Sequence, residues 1–212
     1  KFNLSKPEPP ATTCSGDSSR NNSVMICLVG KLPVLQVGRH QVAGYGTEWI
    51  DIALQRAARS CDRADFPFID DIRDGILHYL EHKCPWRVLP LEDLFERMKR
   101  MLRRIGCDAI ANNLNPLAPP ITLSIARAAR EAGNGFELVF FQKLQKEIDD
   151  LHARGAEEFH FTELRESARI LRGAIQWTSR CNRLHQEILA FLQNFAQQPV
   201  PENRKIHLTI DL

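Results

Sequence analysis

Apolar residues return every three or four positions over long stretches of this chain, most clearly in LEDLFERMKRMLRRI at residues 91–105. Leu91, Leu94, Phe95, Met98, Met101, Leu102 and Ile105 fall at i, i+3, i+4 and i+7. That is one continuous stripe on the 3.6-residue period of an amphipathic helix. Gly106 follows as a helix stop, and residues 107–114 add another turn or two. The same period runs through Ile50, Ala53, Leu54, Ala57 and Cys61, with Thr47 as N-cap. It recurs in Ile69, Ile72, Ile76, Tyr79 and Leu80 within residues 68–83, before Pro85.

Two stretches read instead as strands. Val24–Val29 is short and apolar, and Val34, Gln36, Val37, Val42 and Tyr45 flank a Gly-Arg-His turn at Gly38, the mark of a hairpin. Residues 115–120, NPLAPP, put three breakers in six positions and predict a boundary or a hard corner. Beyond them the pattern predicts helices over 121–132, 136–153, 163–171 and 174–196, with Thr162 as one N-cap. FELVFF at 136–141 is also open to a strand reading, because aromatic and β-branched residues crowd there. Ile206, Leu208, Ile210 and Leu212 alternate as a strand, which the N-terminal hairpin is expected to partner.

The pattern therefore predicts an α+β protein, mostly α: a helical bundle with a small antiparallel β-hairpin or three-stranded sheet. It divides into a flexible arm (1–23), an α+β domain (24–115) and a helical domain with a C-terminal strand (116–212). The arm is rich in Pro, Ser, Thr and Asn and has too little apolar surface to offset ordering entropy.

Charge narrows the partners. Among 212 residues, 28 basic and 26 acidic side chains leave a formal net charge of +2, which argues against nucleic acid and anionic membrane. No apolar run reaches the roughly 20 residues that span a bilayer. The six cysteines, widely spaced and without a CxxC pair, are expected as thiols in a reducing, cytoplasmic setting.

Over residues 34–114 the order of hairpin, helix, helix, short extended piece and helix resembles the ATP-cone domain, the regulatory domain of ribonucleotide reductases and of the repressor of their genes. VLQVGRHQVAGYGTEWIDIALQRAA carries the hairpin and first helix, with Gly38 at the turn and Tyr45 at the aromatic position. VLPLEDLFERMKRMLRRIGCDAIA carries the last helix. The resemblance implies ATP or a related nucleotide as ligand, near Val37, Gly38, Arg39, His40 and Tyr45. The sequence departs from the family where a Lys-Arg pair and a helix Lys hold phosphates. Here those positions are Leu35, Gln36 and Val37, and Trp49. Neutral side chains do not offset triphosphate charge, so Arg39 and His40 are the nearest substitutes.

Other chemistry is offered by His78-Tyr79-Leu80-Glu81-His82, an H-x-x-E-H sequence like that of inverzincin metallopeptidases. Two His four apart on a helix hold Zn²⁺, and the Glu serves as general base. On a wheel stepping ~100° per residue from Ile69, the apolar stripe centres near ~340°, whereas His78 and His82 fall near ~180° and ~220°. They are expected to face solvent, and no metal is assigned to them. A third ligand cannot be singled out among Glu147, Glu157, Glu158 and Glu163. Arg97, Lys99, Arg100, Arg103 and Arg104 close a helix that opens with Glu92, Asp93 and Glu96. That polarity complements the helix dipole, suits a solvated face and offers a Glu96–Arg100 pair. Trp49 and Trp177 are expected as core anchors and His185 on the surface. No Ser, Cys or Thr has a local His and acid partner.

The expectation is a non-catalytic regulatory or ligand-sensing module that binds a nucleotide. Two alternatives stand beside it: a helical protein-interaction module, with a protein partner or a second copy, and a zinc-dependent hydrolase at His78, Glu81 and His82.

Overall fold

Three parallel strand pairings, each bridged by a pair of helices, organise the computed structural model, which describes residues 32–197 and 207–210. The arm at 1–23 and the apolar segment Val24–Val29 lie outside these residues. β1 (Val34–Val37) turns into antiparallel β2 (His40–Val42), then runs parallel to β3 (Val88–Pro90). Between them come α1 (Glu48–Arg59) and α2 (Ile69–His82). The sheet order is β2-β1-β3. Glycine is needed at the turn because Gly38 has φ +57.

The opening stripe becomes α3 (Leu91–Arg104), which buries Leu91, Leu94, Phe95, Met98 and Leu102. Met101 is half-buried, and Ile105, one residue past the helix, is exposed. Gly106, φ +79, turns the chain into α4 (Asp108–Asn113). Tyr45, Trp49 and Phe95 form an aromatic chain with centroids 6.1 and 6.2 Å apart. Tyr45 donates its hydroxyl to the Pro33 carbonyl at 2.8 Å, so the ring is packed and its polar tip satisfied.

The second half differs from the expected run of helices. Residues 121–132 divide into β4 (Ile121–Ser124) and α5 (Ile125–Ala132). Ile121 and Leu123 are buried while Thr122 and Ser124 are exposed, a period of two in only four residues. Ser124 ends the strand and accepts from the Arg127 amide at 3.3 Å as the cap of α5. FELVFF enters α6 (Glu137–Ala153), not a strand. Residues 158–162 form a further strand, β5 (Glu158–Thr162). Thr162 ends that strand, so the N-cap of α7 (Leu164–Leu171) is Glu163, with φ +63. The last long helix, α8, is Ser179–Gln197. β6 (His207–Ile210) pairs parallel with β5, not with the N-terminal hairpin. The second sheet, β4-β5-β6, is parallel throughout.

The fold is thus α+β and mostly α, with two three-stranded sheets where one was expected. Eight helices and two small sheets lie within the described residues. One hydrophobic core joins them, running from Leu35 and Leu54 through Phe95 and Leu117 to Phe140, Phe159 and Leu192. No helix among the described residues is long and apolar enough to cross a membrane.

The breaker-rich corner at 115–120 sits within that core. Leu117 and Ala118 are buried, and the Ala118 amide donates to the Gly155 carbonyl at 2.8 Å. Gly155, with φ +94, has the Pro116 carbonyl so close that a Cβ would collide with main chain. Gly155→Ala is expected to cost at least about 2 kcal/mol, from collision added to left-handed strain. Gly44→Ala, with φ +64 but open space around its Cβ, should cost only about 1 kcal/mol. Urea unfolding of both variants checks the difference.

Candidate functional site

Gly38 carries the hairpin turn onto the face of α6, close enough that a Cβ there would lie 3.0 Å from Arg154 Nε and 3.3 Å from Asp150 Oδ2. Gln36 Nε2 donates to the Gly38 carbonyl at 3.0 Å and holds the turn. The two residues that follow reach one carboxylate. Arg39 Nη2 lies 2.9 Å from Glu147 Oε1. His40 Nε2 lies 2.8 Å from the same oxygen, off the line of a straight hydrogen bond. Arg127 of α5 approaches from the other side, with Nη2 at 3.9 Å.

Glu147 and His40 are both nearly buried, each with 11% of the side chain exposed, whereas Arg39 is 57% exposed. Burial alone raises the Glu147 pKa. The short His40 contact and the Arg39 charge outweigh burial and hold the carboxyl below its ordinary value. The carboxylate stands between two adjoining clefts. One, of about 450 Å³, is lined by Lys143, Lys146, Glu131 and Asp150 besides Arg39 and His40. The other, of about 430 Å³, extends over Gln41, Thr122, Ser124 and Arg127. Four permanent cations and three carboxylates line the pair. The arrangement suits an anion: Glu147 itself presents a carboxylate to the Arg39 guanidinium and the His40 imidazole, and a phosphate or another carboxylate would present the same chemistry.

The sequence candidates fall into two groups. Arg39 and His40 line the clefts, and Gly38 makes the turn that precedes them. Val37 is fully buried and Tyr45 nearly so, and both brace the hairpin from the core side. Burial, then the neighbouring Cys84, raise the Tyr45 pKa. Glu147, Arg127, Lys143 and Lys146 were not foreseen here, because α5 and α6 meet the hairpin only through tertiary packing. On α6, Glu147 adjoins the buried stripe of Phe140, Leu144, Ile148 and Leu151, but no sequence signal links it to residue 39.

His78, Glu81 and His82 lie on the exposed side of α2. The two imidazoles stack at 4.7 Å, and His82 Nδ1 is 3.2 Å from the His78 carbonyl. Of the downstream acids, Glu157 meets Arg56 Nη1 at 2.7 Å, and Glu163 accepts from the Ser124 hydroxyl. Among the described residues no group of three or more His, Cys, Asp or Glu side chains is gathered for a metal ion. On α3, Glu96 pairs with Lys99 at 3.1 Å in place of Arg100, which donates to the Glu96 backbone carbonyl.

Trp177 and His185 exchange their expected roles. Trp177 is 38% exposed and lies under the Arg165 guanidinium at 4.8 Å. His185 is buried against its edge, and burial, then Arg165, lower the imidazole pKa. Ser124 and Glu163, 39 residues apart, form a hydroxyl–carboxylate pair that no local motif announces.

Because the folded Glu147 pKa lies below its ordinary 4.5, its stabilising effect is present above that value. It is lost as pH falls through the lowered one. Glu147→Gln should cost roughly 1–2 kcal/mol at pH 7, discounted for the exposed Arg39. It should also flatten the loss of stability between about pH 5 and pH 3. Urea midpoints across that range measure both effects.

No protein-family model, curated protein or solved structure matches this chain.

Proposed function

We propose that the chain is a non-catalytic, ligand-sensing regulatory module whose ligand is a nucleotide or related polyanion bound beside Gly38, Arg39 and His40. One observation carries the reading: the hairpin residues Arg39 and His40 converge on Glu147 at 2.9 and 2.8 Å, where two clefts meet. A bound phosphate competes with Glu147 for Arg39, and Lys143, Lys146 and Arg127 add charge around it. Displacing Glu147 loosens the tie between the β1–β2 turn and α6, which converts binding into a change between the two halves. The resemblance to the ATP cone makes ATP the first ligand to test. Four described cysteines are free thiols, which supports a reducing, cytoplasmic setting.

A second reading, a protein-interaction module, draws on a different surface. Phe136, Leu138 and Ile175 are 60%, 71% and 90% exposed. Phe136 and Leu138 lie at the start of α6 and Ile175 just beyond α7, and the two segments meet where the Gly135 amide donates to the Leu171 carbonyl at 2.8 Å. An exposed apolar cluster of this kind suits a protein partner or a second copy.

Calorimetric titration with ATP, ADP and dATP separates the readings. The nucleotide reading expects a dissociation constant below about 1 mM for at least one of them. It also expects roughly tenfold or greater weakening in Arg39→Ala/Lys143→Ala, the loss of two charge-assisted contacts. Absence of heat at millimolar concentrations of all three discards it.

A further inference from the structure

A third cleft, sharing no lining residue with the two around Glu147, lies between α2 and α3 and has a volume of about 370 Å³. Its cause is local. α2 packs on α1 but stands off α3, and Gly75 in the middle of α2 puts no side chain into the gap. A Cβ at Gly75 would meet nothing within 4 Å. The floor is apolar: Ile76, Leu94 and Met98 are buried, and Met101 is half-buried. Unbranched methionines adapt their shape to what lies on them.

The rim is cationic. Arg97, Arg100 and Arg104 follow one another at i, i+3 and i+7 along α3, a ridge of roughly 10 Å. Among the described residues none of the three meets a carboxylate. Arg97 is fixed instead by the Tyr79 hydroxyl at 3.0 Å and by the Trp86 ring, 4.2 Å from its guanidinium carbon. Its Nε is buried without a hydrogen-bond partner. Arg100 donates to a backbone carbonyl, and the nearby acid, Glu96, is taken by Lys99. Arg97 and Arg100 are thus held along an apolar trough, exposed Arg104 extends the line, and among the described residues no acid answers the three.

We propose that this groove docks an acidic amphipathic helix of a partner protein. The floor accepts an apolar stripe at i, i+3, i+4 and i+7, and the ridge meets carboxylates flanking that stripe on one side. Leu94 to Met101 spans about two helical turns of such a ligand. Charge complementarity decides against the chain's own Val24–Val29, which has an apolar stripe but no acid. It also decides against a nucleic-acid backbone, which would use the arginines and leave the apolar floor empty.

The test uses the full 212-residue chain and fluorescein-labelled synthetic helices in anisotropy titrations. One probe carries a Leu stripe flanked by Glu; a second has the same stripe flanked by Lys; a third keeps the Glu residues but replaces Leu with Ser. A labelled DNA duplex is the fourth. The Glu/Leu probe is expected to bind with a dissociation constant on the order of 10 µM, the other three at least about tenfold more weakly. Arg100→Glu/Arg104→Glu and Gly75→Leu should each weaken the Glu/Leu probe about tenfold or more. Gly75→Leu adds a helix-favouring side chain in open space, so an unchanged or raised Tm shows that the fold persists. The proposal is overturned by absence of binding at 100-fold the expected dissociation constant, by equal binding of the Lys-flanked or Ser probe, or by DNA binding as tight. Glu/Leu binding that ignores Gly75→Leu overturns it too.

Discussion

Parallel pairing is the constraint from which the rest follows. Two parallel strands cannot be joined by a tight turn, so the chain must cross over between them, and here a pair of helices does so each time. α1 and α2 separate β1 from β3, α5 and α6 separate β4 from β5, and α7 and α8 separate β5 from β6. Each helix has one apolar face to bury, and the strands have Leu35, Leu89, Leu123, Phe159 and Phe161 to cover. All of these groups meet in one core. Substituting a large member such as Phe95 by Ala would cost about 3–5 kcal/mol, as for other buried phenylalanines.

The β1–β2 hairpin is the exception to parallel pairing. A tight turn needs no covering helix, so its tip can extend to a neighbouring element. Arg39 and His40 land on α6, and a nearly buried carboxylate holds them there. A single pair of exposed charges contributes little to stability. Glu147 differs because water is largely excluded from it and the Arg39 guanidinium and the His40 imidazole converge on the same oxygen. The clefts beside it and the arginine-rimmed groove on α3 handle charge in opposite ways. In the first the cations have an internal acid; in the second they have none.

Helices were legible wherever an apolar stripe lasted three turns or more. α3 and α6 start within one residue of their expected positions, and α2 matches to within one residue at each end, because burial enforces the 3.6-residue period. The hairpin was legible through Gly38, whose positive φ is the kind of position glycine fills. β4 and β5 were not. Each is only four or five residues long, and Ile-Thr-Leu-Ser runs directly into a helical stripe that absorbs it. Glu163, in a left-handed conformation that a non-glycine residue rarely adopts, moves the start of α7 only one residue from its expected position. The candidate site was half legible for the same reason: Arg39 and His40 follow a turn that the sequence marks, whereas Glu147 reaches them only through the packing of α6.

The central position of β5 has a kinetic consequence. During synthesis β4 precedes it, but β6 emerges only after two further helices. Until then one edge of β5 presents unpaired amide and carbonyl groups beside Phe159 and Phe161, a surface on which another nascent chain can add a strand. The ribosome-bound chain is therefore open to intermolecular association at this edge from the emergence of β5 until β6 arrives, whatever the stability of the finished molecule.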